Sequence, residues 1–166
     1  KHAAPGQLLE NNQWTSACGS IDWLLLPGDF ATTKFAAPPP DIVFFDPFSF
    51  KTDSNLWTLT AFRELLSVCG ERATELFTYT YSTAVRAAML AAGFYVAKGR
   101  ATGPKQETTI GLSRSAAASD HAHELLGAEW LARWHRSGAP APLGVLPGDE
   151  SWRDAAMAHP QFHRDS

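Results

Sequence analysis

The 166-residue chain is long enough for one domain with a real core, and 45% hydrophobic and 19% charged residues fit a water-soluble globular protein. A formal net charge of −3 excludes a general pull toward nucleic acid, so polynucleotide binding would need a local basic patch. Cys18 and Cys69 are too few for a disulfide framework or zinc ribbon and fit reduced thiols in a cytoplasmic protein, and no apolar run approaches the roughly 20 residues of a membrane span.

Residues 1–20 are polar and turn-rich, lack the apolar stretch of a signal peptide, and place Leu8, Leu9 and Trp14 in a short helix or turn. Ile21–Leu26 reads as a strand stopped by Pro27-Gly28, and Ala36–Pro40 as a stiff connector, because successive prolines favour extended backbone. The next strand runs from Asp41 to Asp46. Its four large apolar residues in a row, Ile42-Val43-Phe44-Phe45, predict a fully buried strand at the centre of a parallel sheet.

Thr58–Cys69 has a helical period, with Leu59, Phe62, Leu65, Leu66 and Cys69 on one face and Gly70 after the last turn. Thr74–Thr80 alternates and is rich in β-formers, so it reads as a strand. Ser82 suits the N-cap of a second helix that Gly93 ends. Phe94–Ala97 and Glu107–Leu112 form an antiparallel hairpin with a long tip. Ser113–Ser119 reads as a linker and His121–Trp134 as a helix. Residues 137–166 read as a loosely ordered tail. The element order is that of an α/β sheet with an antiparallel end.

Asp46 is the sharpest chemical signal. In open α/β sheets, ligands bind just beyond the carboxyl ends of the strands. A carboxylate there, followed by Pro47 and Phe48, stands where chemistry is expected, although Asp-Pro is also a common turn signal.

Several motifs in order resemble the methyltransferase domain of the MnmC family. They are Asp46-Pro47-Phe48-Ser49, Leu56-Trp57-Thr58, Thr78-Tyr79-Thr80, Ala91-Ala92-Gly93-Phe94 and Gly103-Pro104-Lys105-Gln106-Glu107. The resemblance runs from about Gly28 to Leu112, and more weakly back to residue 1. It implies a class I S-adenosylmethionine-dependent fold, and methylation of an aminomethyl group on the wobble uridine of tRNA. A fused FAD-dependent oxidoreductase occurs in some members, and such a protein is a possible partner in the pathway; nothing in this chain resembles one. Two positions depart from the pattern. Pro47 directly follows the Asp with Phe50 where a proline is expected, and Gln106 replaces an Arg in the basic loop.

The Gly-rich cofactor turn that follows the first strand of such folds has no counterpart in the chain. Gly99–Gly103 lies between two late strands and precedes Pro104 rather than a helix. The resemblance therefore aligns the chain with the C-terminal half of a Rossmann-like class I sheet, with parallel strands and an antiparallel end hairpin. It predicts a partial methyltransferase domain over residues 1–136, a tail over 137–166, and a missing N-terminal half or partner chain.

By resemblance, Asp46 orients the amine and takes up its proton. Asp29, after the third strand of the family's sheet, accepts from the adenine amino group, and Phe30 packs on the ring. Phe48, Phe50, Trp57 and Tyr81 are candidates to stack on an extruded base. Arg100 and Lys105, with Lys98 and Arg86, form a basic cluster for tRNA phosphates. For each aromatic the alternative is core packing, and for the basic cluster it is a solvated loop.

Other chemistries are weaker. His121-Ala122-His123 lacks a fixed third ligand, and residues two apart lie on different helix faces, so no metal is expected. A Gly-x-Ser-x-Gly elbow is absent from the sequence. Two further readings stay open: a truncated, non-catalytic fragment or interaction module, and a class I methyltransferase acting on a different amine.

Overall fold

The computed structural model describes residues 4–48, 52–101, 107–119 and 122–163. It divides into two compact units, Lys1–Pro38 and Pro39–Ser166.

In the first unit, helix α1 (Ala4–Asn11) leads into strand β1 (Gln13–Thr15), which pairs antiparallel with β2 (Asp22–Leu24). Trp14 lies opposite Trp23 with ring centroids 5.1 Å apart, and the Thr15 hydroxyl donates to Asp22 at 2.6 Å. The strand expected over Ile21–Leu26 is thus shorter and belongs to a two-stranded ribbon with exposed side chains. Helix α2 (Phe30–Thr33) follows, with the Asp29 carboxylate accepting from the Ala31 N–H at 2.9 Å. A 3₁₀ turn over Lys34–Ala36 closes the unit.

The second unit holds a four-stranded mixed sheet of β3 (Ile42–Phe44), β4 (Glu75–Thr78), β5 (Tyr95–Gly99) and β6 (Thr108–Leu112), in the spatial order β3-β4-β6-β5. β3 and β4 are parallel; β6 runs antiparallel to both β4 and β5. The β3–β4 crossover is made by a 3₁₀ turn (Ser54–Trp57) and helix α3 (Leu59–Cys69). Thr58 caps α3 by accepting from the Ala61 N–H at 3.1 Å, and Gly70 ends it at φ +55°. Helix α4 (Thr83–Ala92) joins β4 to β5 and ends at Gly93 in the left-handed region. Ser82 stands at its N-cap position, but its hydroxyl makes no capping bond; its backbone N–H donates to the Thr80 hydroxyl at 3.1 Å.

The main core lies between the sheet and these helices. Phe45, Trp57, Phe62, Leu76, Val85 and Leu90 are all buried in it. The strand predicted to sit at the centre of the sheet is instead at its edge. Among the described residues β3 pairs only with β4, and Ile42 and Phe44 are 55% and 82% exposed. Its continuous apolar run arises because Val43 and Phe45 face the core while Ile42 and Phe44 face the other side of the sheet.

Three further expectations are corrected. Ser113–Ser119, read as a linker, holds helix α5 (Arg114–Ser119), whose Ala116 and Ala117 pack in a second cluster with Tyr95, Ile110 and Leu112. The helix expected over His121–Trp134 begins only at Ala128 (α6, Ala128–Arg136), because Glu124–Leu126 pairs with the outer edge of β5 through Lys98 N–H to Glu124 O and Leu126 N–H to Val96 O. The segment 137–166 is not loose where it is described. Helix α7 (Ser151–Met157) buries Trp152 against Trp134, ring centroids 6.0 Å apart, and contacts α4. After it, the Gln161 side chain receives the Val96 N–H at 2.8 Å and donates to Val96 O and Leu126 O. Trp152 buries enough apolar surface to hold a short helix that composition alone does not favour.

Candidate functional site at the carboxyl end of the sheet

Strand directions bring four chain segments to one end of the sheet. Parallel β3 and β4 both exit there, into residues 45–48 and 79–82. β6 starts there at Thr108, and β5 leaves there at Gly99, because each is antiparallel to its neighbour. Asp46, Tyr79, Tyr81, Arg100 and Glu107 therefore share one end of the fold, which is where open α/β sheets bind ligands.

A cleft of about 210 Å³ opens at this end, lined by Phe44, Asp46, Phe77, Thr78, Tyr79 and Thr108. Its aromatic wall follows from the β period of two: Phe44 lies opposite Phe77 with ring centroids 5.9 Å apart, and Tyr79 is two residues beyond Phe77. The exposed Asp46 carboxylate has no hydrogen-bond or ion-pair partner among the described residues. A wider cleft of about 490 Å³ shares Phe77 and Thr108 with the first and extends to Lys98, Arg100 and His123. Lys98 is paired with Glu124 at 2.6 Å, and His123 approaches Glu75 at 3.5 Å. The Arg100 guanidinium has no ion-pair partner among the described residues, and its backbone carbonyl accepts from the Thr108 hydroxyl at 3.1 Å.

The other expected site residues fall in several environments. Phe48 is 77% exposed beside Asp46, and its carbonyl accepts the Trp57 indole N–H at 2.8 Å. Tyr81 is exposed on the loop after β4. Trp57 is only 5% exposed, edge-on to Phe45 and Phe62, so its expected stacking on a base is corrected to core packing. Arg86 is likewise removed from the basic cluster: it is buried and bonded to Thr109, Thr108 and Glu107. Phe50, Lys105 and His121 lie outside the described residues. Asp29 and Phe30 belong to the first unit, with Asp29 capping α2 and Phe30 partly exposed. The cleft residues Phe44, Phe77, Tyr79 and Thr108 were not among the site residues expected from sequence. The alternation of Thr74–Thr80 was the signal for two of them, since it sets Phe77 and Tyr79 on one face.

Among the described residues no helix is long and apolar enough to cross a membrane. The chain matches a family model described as "S-adenosyl-L-methionine-dependent methyltransferase" over residues 3–114. No curated protein matches it. Among solved structures it is similar to MNMC2 from Aquifex aeolicus, with 21% identity and a TM-score of 0.64 over 91% of this chain and 48% of that one. That likeness bears on the fold, and the chain spans about half the length of that relative.

The cofactor of the matched family is S-adenosylmethionine. Of the residues expected to hold it, Asp29 uses a carboxylate oxygen to cap α2 and Phe30 is 39% exposed. Gly28, at φ +137°, makes the tight turn that presents Asp29 and Phe30, and a Cβ there would meet the Thr33 methyl at 2.9 Å. The strand-to-helix turns after β3 and β4 contain no glycine, so neither offers the close backbone approach of a cofactor turn. More than half of the residues lie inside the family match, and the chain belongs to the S-adenosyl-L-methionine-dependent methyltransferase family.

Proposed function

We propose that this chain forms the acceptor-facing side of an N-methyltransferase whose substrate is the aminomethyl group on the wobble uridine of tRNA. The observation that carries the reading is the Asp46 carboxylate, without a partner among the described residues, at the carboxyl end of β3 beside the aromatic wall of Phe44, Phe77 and Tyr79. An alkylamine is mostly protonated at neutral pH and must lose that proton to present a lone pair. Asp46 holds the ammonium group and accepts its proton. Phe48 and the aromatic wall take the base and exclude water from the amine. Arg100 supplies a cation for a flanking phosphate, with Lys105 as a second candidate. The cofactor, when bound, supplies an activated methyl group. Asp29 and Phe30 are the chain's candidates for its adenine edge.

The motif likeness to the MnmC family and the fold likeness to MNMC2 support this reading. The reading implies a cytoplasmic enzyme. An oxidoreductase that generates the aminomethyl group is a candidate partner in the same pathway.

One further observation bears on completeness of the site. The β5 edge is covered by residues 124–126 and by Gln161, whereas β3 pairs only with β4 among the described residues. This asymmetry favours a partner strand at β3, supplied with the glycine turn by a complementary N-terminal half of the domain.

The test is calorimetric titration of S-adenosylmethionine into the chain, alone and mixed with a supplied N-terminal half, followed by labelled-methyl transfer to hypomodified tRNA. Binding and transfer only in the mixture are expected. Transfer to a protein or a small amine but not to tRNA would overturn the substrate assignment.

A further inference from the structure

Arg86 is 3% exposed, near the start of α4. A buried guanidinium is costly unless its donors are matched, and here three of its nitrogens have partners. Nε donates to the Thr109 hydroxyl at 3.0 Å, Nη2 to the Thr108 carbonyl at 2.9 Å, and Nη1 to Glu107 Oε1 at 3.3 Å. Thr109, fully buried, donates its own proton onward to the Thr80 carbonyl at 2.6 Å. A hydroxyl that accepts from a cation is polarised toward stronger donation, so the two bonds reinforce each other.

The network joins the segment after β4, the start of β6 and the start of α4. Both of the first two border the clefts at the carboxyl end of the sheet. Tyr79 and Thr108 line the cleft with Asp46, and the Thr108 hydroxyl holds the Arg100 carbonyl at 3.1 Å. Thr78, opposite Thr109 in the strand register, carries a buried hydroxyl with no partner among the described residues. The interior at this end of the sheet is therefore polar, and buried polar networks of this kind are often no more stable than an apolar filling.

We infer that Arg86 is a positioning residue that acts through Thr109, setting the segment carrying Tyr79 and Tyr81 against the one carrying Arg100. This inference rests on the acceptor-site reading above. Its neighbours limit the register: Gly99 has no room for a Cβ, which would lie 2.1 Å from the Thr108 hydroxyl. Movement of residues 107–109 thus passes directly to residues 99–100.

The test uses Thr109→Val, which keeps the shape and removes the hydroxyl, with Thr109→Ser as the conservative rescue. Hydrogen exchange is read on the full chain without cofactor or acceptor. Thr109→Val is expected to speed exchange of amides 79–82 and 99–101 by about tenfold or more, with α3 unchanged. Thr109→Ser is expected to behave as the parent. In methyl transfer by the chain mixed with the supplied N-terminal half, Thr109→Val raises the KM for hypomodified tRNA about tenfold and leaves kcat within about twofold. Should Thr109→Val fail to fold, Arg86→Lys is expected to give the same local pattern, because a lysine keeps the charge without the fork. Unchanged exchange, uniformly faster exchange across α3 as well, or a Ser variant indistinguishable from Val would overturn the inference. The expected exchange pattern without any transfer to tRNA would instead overturn the substrate reading and leave the positioning role supported.

Discussion

The Trp57 indole N–H donates to the Phe48 carbonyl at 2.8 Å, so a core side chain holds the segment that follows Asp46. The same ring lies edge-on to Phe45, the residue immediately before Asp46. The aromatic core therefore grips the Asp46 segment from both sides, and the direction in which the carboxylate is presented depends on packing below it.

Trp57→Phe removes that hydrogen bond and leaves a void beside Phe62. A stability loss of about 2–3 kcal/mol is expected, measurable as a lower urea midpoint with an unchanged m-value. Acceptor KM should rise in the same variant. An unchanged midpoint would mean that the Phe48 segment is held by other contacts.

Asp46→Asn keeps the size of the side chain and removes the proton acceptor. Because Asp46 is exposed and has no partner among the described residues, the thermal unfolding temperature should not move. Methyl transfer should fall by roughly 10²–10⁴, the usual contribution of a general base. Full activity in this variant would remove Asp46 from the chemistry.

The β3 edge predicts association behaviour. Ile42 and Phe44 present apolar surface on an edge strand, which templates pairing with another chain. Sedimentation should show concentration-dependent self-association of the chain, and Phe44→Lys should suppress it without lowering helix content. If Phe44→Lys leaves the association intact, another surface is responsible.

The two cysteines should separate by pH. The exposed Cys18 thiol has its pKa lowered to about 7, chiefly by hydrogen bonding with Ser16 and then with Ser20, whose hydroxyl lies 2.8 Å from Sγ. A depressed pKa means thiol below pH 7 and thiolate above it. The rate of iodoacetamide labelling at Cys18 should therefore rise through a midpoint near pH 7. Burial pushes the Cys69 thiol up, so that site should stay unlabelled until the protein unfolds. Mass spectrometry of labelled peptides reads both, and Ser20→Ala should move the Cys18 midpoint upward.

The local part of this fold was legible because its causes are local. Thr58 and Gly70 bound α3 through bonds within three residues, and Gly93 ends α4 through its own φ. The spacing of Leu59, Phe62 and Leu65 names the buried face of α3 directly. Asp46 at a strand end was likewise visible in a ten-residue window, as was the β5–β6 hairpin. Motif order was enough to point to the methyltransferase family.

What sequence alone determined was therefore the main strands and helices α3 and α4, the glycines that end those helices, and the position of the Asp46 carboxylate at a strand end. Tertiary structure decided the rest. Whether a run of four apolar residues is central or at an edge depends on what pairs with its outer side, and that does not show in the run itself. Arg86 reads as a surface cation until partners 21 to 23 residues away bury it. Trp152 and Gln161 sit in a polar, proline-rich stretch, and they are ordered by α4, Trp134 and the open edge of β5. Periodicity and capping act over three or four residues. Burial, edge status and the pairing of a charge are set by neighbours far away in the chain, and those exist only once it has folded.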